Sequence, residues 1–255
     1  MTASMDWTID GLPEDTQHLL RSFVKDVVKT YGTHLESVVL FGSAVRGEFL
    51  PGRSNINVLL FLTSYDVALL TRYTTLHARW SKEQIVVPLF LTREDLQSAA
   101  SVFPLEYLDI QDSHRALWGP DPFVGFKVDT RYLAGEVVQG LRGNLLRVRQ
   151  RLVEGSATVE AITVLLPVSI TALLPVLRGI QRLFGRMVIS HGEPLVKDIE
   201  AACAIDLSGI RDALQLKRGQ ISPGHKEVPK FMERYLESLG RLSASVERQV
   251  GNTQT

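Results

Sequence analysis

The chain has 255 residues, 45% of them hydrophobic and 22% charged, with 28 basic side chains balancing 28 acidic ones. This is the composition of an ordinary globular protein long enough for one large domain or two moderate ones, with no net field to recruit nucleic acid or a membrane surface. Cys203 is the single cysteine, which excludes an intramolecular disulfide and points to a reducing, cytoplasmic compartment.

The first ten residues, MTASMDWTID, show no basic segment followed by an apolar core, so no secretory leader is expected there. Leu19, Leu20, Phe23, Val24, Val27, Val28 and Tyr31 recur at helical spacing and predict a helix over 14–31, capped by Gly32. Short β-rich runs follow at 37–41 and 55–62, then a helical pattern over 65–80 and a third strand over 84–90. Thr92, Arg93, Glu94 and Asp95 form a capping box with Asp in place of Glu and open another helix. Turn residues gather at Gly119, Pro120, Asp121 and Pro122, and from Lys127 onward the pattern is helical. Breaks fall at Gly155 and Ser156, at Ser190 to Gly192, and at Ser222 to Gly224. Leu141, Leu145, Val148 and Leu152 line one helical face, as in a bundle of four or five helices. The uncharged run 161–177 sits at the short limit of a membrane span and carries Pro167 and Pro175, so it reads as a buried helix or helix pair. The expected organisation is an α+β domain over 1–125 and an all-α helical domain over 126–255.

Between the first two strands, Gly42 and Ser43 form a turn that leads into a short helical segment with Arg46. Backbone N–H groups at such a turn, together with a serine hydroxyl, suit phosphate. The stretch LFGSAVRGEFLPGRSNINVLLFL closely resembles the signature of the polymerase-beta-like nucleotidyltransferase superfamily. In that signature a strand, Gly-Ser and a short helix precede a strand opening Ser-Asp-x-Asp. The segment PLEYLDIQDSHRALWGPDPF is similar to the end of the nucleotidyltransferase domain in bacterial members, and a helical domain fits those members too. The resemblance implies a mixed sheet with helices, and nucleotide or phosphate binding by Gly42, Ser43, Arg46 and Ser54.

It also implies two metal-holding carboxylates at i and i+2, which strand pleating sets on one face. Here Ser54 matches the serine, but Asn55 and Asn57 stand at the two acidic positions. A third acid is expected on the neighbouring strand, where 85–90 holds none. Glu83 shares parity with Ile85, Val87 and Leu89, so it would reach the site only through a bulge. Mg²⁺ favours anionic oxygens, and two metals are what activate nucleotidyl transfer in this superfamily. The expected protein is therefore a nucleotidyltransferase fold without its catalytic acids, a pseudoenzyme with no cofactor that acts by binding ATP, GTP or a protein partner. One alternative is an active enzyme transferring a nucleoside monophosphate from an NTP, with Mg²⁺ held through Glu83, Glu48 or another chain. Another is a scaffold or homo-oligomerisation module. Arg53 is an additional candidate for phosphate. Arg142, Arg147, Arg149 and Arg151 straddle an apolar stripe, as on a solvated helix, and the histidines show no metal-ligand spacing. Glu106 and Asp109 lie three apart on a predicted helix, with no role assigned to either.

Overall fold

A computed structural model describes residues 7–99, 102–155 and 158–253. The expectations for Ser156 and for much of the first ten residues fall outside them. The chain divides into two compact units, Met1–Asp129 and Thr130–Thr255, a few residues past the boundary read at 125.

In the first unit, α1 is Glu14–Tyr31, with Leu20, Phe23, Val24, Val27 and Tyr31 buried along the predicted stripe. Gly32 caps it at φ 55°, donating its N–H to the Val28 carbonyl. Strand β1 (Leu35–Phe41) runs antiparallel to β2 (Asn57–Leu62), with Phe41 opposite Asn57. The helix expected over 65–80 starts later and divides at Arg72 into α2 (Val67–Thr71) and α3 (Tyr73–Trp80). Asp66 caps α2 by accepting from the Leu69 N–H at 2.7 Å.

The third strand is shorter than the sequence suggested. Only β3 (Leu89–Leu91) pairs in parallel with β2, preceded by an isolated bridge between Ile56 and Ile85. Gln84 turns the chain at φ 62°, and Pro88 has no N–H to give a ladder, so 86–88 stay outside the sheet. Helix α4 (Arg93–Ala99) opens on the capping box: the Thr92 N–H donates to Asp95 Oδ2 at 2.8 Å, and the Asp95 N–H donates to Thr92 Oγ1. After α5 (Pro104–Asp112), His114–Trp118 forms β4, an edge strand that the sequence reading missed. It pairs antiparallel with β1 and completes the order β3-β2-β1-β4.

The sheet separates two apolar layers, as alternation along its strands requires. Val38, Leu40, Ile56, Val58, Leu60 and Leu62 meet α1, α2 and α3 on one face. Val39, Leu59 and Phe61 meet Leu96 of α4, and Tyr107 and Ile110 of α5, on the other. Each such buried side chain contributes roughly 1.5–3 kcal/mol. Asn57 has the parity of Leu59 and Phe61, so it lies on the second face, at the start of β2.

The second unit holds α6 (Leu133–Glu154), α7 (Val159–Leu183), α8 (Gly192–Cys203), α9 (Ser208–Lys217) and α10 (Val228–Thr253). The run 161–177 belongs to a single helix, α7, which continues through Pro167 and Pro175. By length and composition α7 could cross a bilayer, but Ile162, Leu166, Ile170, Leu173 and Leu177 are fully buried in this unit. A polar knot sits among these helices. Asn144 Nδ2 donates to the Ser169 carbonyl at 2.9 Å, and Ser169 Oγ donates to Asn144 Oδ1 at 2.6 Å. The Tyr235 hydroxyl must then donate to Ser169 Oγ, at 2.7 Å.

Candidate functional site

Where β1 ends, the chain makes one 3-10 turn, Gly42–Ala44, in place of the short helix the sequence suggested. Gly42 has φ +82°, a conformation that side-chain-bearing residues rarely adopt. A Cβ there would also meet Asn57 Nδ2 at 3.1 Å, so the absence of a side chain lets the carboxamide lie against the turn. The turn is held from behind: the Gly42 N–H donates to the Ser113 carbonyl at 3.1 Å, and the Gly42 carbonyl accepts from Val45 and Arg46. Ser43 is half-buried, and its hydroxyl bonds to no other described residue.

Arg46 stands elsewhere. Its Nε donates to Ser113 Oγ at 2.8 Å, and its Nη2 donates to the Asp109 carbonyl at 3.0 Å and to Asp109 Oδ2 at 2.7 Å. This buried pair ties the turn to the end of α5, so the guanidinium already has partners before any phosphate arrives. Ser54 is likewise engaged, because its Oγ accepts from the Leu50 N–H at 3.0 Å and its own N–H donates to the Leu50 carbonyl. It folds the loop that delivers Asn55. Gln84, which the sequence reading passed over, steadies the same loop: its carbonyl accepts from Ile56 and its Oε1 from Gly52. Its left-handed backbone gave no cue in the sequence, since glutamine is not a usual residue for that conformation.

Asn55 is exposed two residues ahead of the start of β2, and Asn57 is half-buried as its first residue. Neither carboxamide bonds to another described residue. Across Phe41 from Asn57 lies His114, and antiparallel partners place all three side chains on one face. The two His114 ring nitrogens meet the Gln111 carbonyl at 2.9 Å and the Asp121 carboxylate at 3.0 Å, and the ring centroid is 4.7 Å from that of Phe123. Of the expected phosphate binders, then, Gly42 and Ser43 are gathered beside Asn57, whereas Arg46 and Ser54 hold the frame.

This donor set does not fit a divalent metal. Asn55 and Asn57 offer neutral carbonyl oxygens, β3 carries no acid, Glu83 is exposed, and Asp109 is bonded to Arg46. Among the described residues no group of three or more His, Cys, Asp or Glu is arranged to hold a metal ion.

No family model matches the chain, and no curated protein matches it. Among solved structures it is similar to a spectinomycin adenyltransferase from Enterococcus faecialis, determined with ATP and spectinomycin. The TM-score is 0.55 at 11% identity, over 90% of this chain and 99% of that one. The fold is therefore a nucleotidyltransferase-like α+β domain followed by a helical domain.

Proposed function

We propose that this protein is a non-catalytic member of the nucleotidyltransferase fold that binds a nucleotide without metal. The observation that carries the reading is the unbonded carboxamide of Asn57, lying against the Gly42 turn, with the second unbonded carboxamide, Asn55, exposed two residues before it. A carboxylate in that place needs a cation to bridge it to a phosphate, because both are anionic. A carboxamide instead presents N–H groups that donate to phosphate oxygens directly. The same exchange removes the anionic ligands on which Mg²⁺ depends, and so the chemical step. The ATP in the solved neighbour supports nucleotide as the ligand class. A reducing cytoplasm fits the one buried thiol of Cys203.

Calorimetric titration with ATP and GTP, with and without Mg²⁺, tests this reading. Binding of equal strength in both conditions is the expected result, and binding that requires Mg²⁺ would overturn it. The double variant Asn55→Asp, Asn57→Asp should invert the pattern by repelling the free nucleotide. Without Mg²⁺ its affinity should fall about tenfold or more, since a hydrogen bond to a charged group is worth about 1.5–3 kcal/mol.

A further inference from the structure

In the second unit, a groove of about 540 Å³ runs between α6 and α7. This is the size of a small-molecule site, far below what a packed polypeptide segment needs. Its α7 wall spans Ala161 to Ala172, about 17 Å along the helix axis at ~1.5 Å per residue. The wall is apolar yet open, with Val164 and Val168 remaining 68% and 65% exposed. The floor includes Asn144 and Ser169, which bond to each other, so the polar knot beneath the groove makes little further demand on a ligand.

Charge at the rim decides what fits. Arg151 is paired with Glu154 at 2.9 Å, and Arg142 on the same helix takes Glu247. Arg147 lines the groove without an ion-pair partner among the described residues. Its guanidinium folds back over Gly143, where an added Cβ would meet Nη1 at 3.3 Å. A mid-helix glycine costs about 1 kcal/mol relative to alanine, and here its bare backbone gives the arginine a place to lie. Apolar walls beside one uncompensated cation are complementary to a ligand with an apolar body and a single anionic head.

We infer that the α6–α7 groove is a binding site for a small amphiphilic monoanion, of the chemical class of a medium-chain carboxylate. The site is confined to the second unit and does not depend on the nucleotide reading. Arg147 pairs with the head group, while Val164, Leu165 and Val168 cover the chain.

The test uses the full protein with 8-anilinonaphthalene-1-sulfonate as a fluorescent probe and octanoate, octanol and octylammonium as competitors. Saturable one-to-one probe binding is expected, with octanoate displacing it well ahead of the neutral and cationic analogues. Arg147→Ala should weaken octanoate about tenfold and leave octanol unchanged, and Arg147→Lys should recover part of the loss. Val168→Asp, at an exposed position that tolerates polarity, should weaken octanoate by adding like charge. Absence of saturable binding would overturn the inference. So would equal competition by octanol, or an octanoate affinity indifferent to Arg147→Ala.

Discussion

Replacing Asp109 by alanine removes the carboxylate that holds Arg46 while leaving the arginine in place. The two side chains are 16% and 7% exposed, so the guanidinium would keep its charge in a largely buried position. Removing one partner of a buried pair costs about 3–5 kcal/mol. Arg46 would retain Ser113 Oγ and the Asp109 carbonyl, which puts the expected loss at the low end, about 3 kcal/mol. In a unit of this size that corresponds to a fall in melting temperature of roughly 10 °C. The exposed pair Arg79 and Asp26, with side chains 65% and 31% exposed, supplies the contrast: Arg79→Ala should cost under about 1 kcal/mol. The assay is urea unfolding followed by tryptophan fluorescence. All three tryptophans, Trp7, Trp80 and Trp118, lie in the first unit, so the signal reports that unit alone. The double replacement Arg46→Met, Asp109→Leu should lose less than Asp109→Ala, since no charge is left buried without its partner. An Asp109→Ala loss no greater than that of Arg79→Ala would refute the reasoning.

Gly42→Ala should destabilise the first unit by about 1–2 kcal/mol through its positive φ and its contact with Asn57, and should weaken ATP in calorimetry by displacing the carboxamide. In the second unit, hydrogen bonds from Arg186 and Gln181 hold the Asp198 carboxyl below its ordinary value of 3.8. Because the folded-state value is depressed, the stabilisation is present above the unfolded value and drains away as pH falls through the folded one. Amide-exchange protection of α8 should therefore differ between the native protein and Asp198→Asn near neutrality, and the difference should shrink as pH falls below the ordinary carboxyl value of 3.8. A gap that stays constant down to pH ~2 would mean that the Asp198 carboxylate contributes nothing.

The parts of the fold legible in the sequence are those written in local code. Helix α1 and its Gly32 cap, the Thr92 to Asp95 box and the first two strands follow from hydrogen bonds and periodicities within a few residues. Strand β4 was hidden because Ala116, Leu117 and Trp118 give an apolar run too short to show a period of two. Its strand character comes from docking on β1, with a register shift at Val38 and Val39. The split at Arg72 has no Gly or Pro to announce it. At β3 the breaker Pro88 was visible, but its effect on pairing depends on which neighbour needs the missing N–H.

The candidate site divides along the same line. The sequence by itself determined the identities that set its chemistry: a glycine at the turn and carboxamides at positions 55 and 57. Only the tertiary structure decided which polar side chains remain available there. Arg46 reads as a phosphate binder until its partner is known, and Asp109 lies 63 residues from Arg46 along the chain. A charge selects its partner by distance in space and by burial, and neither is encoded in spacing along the sequence.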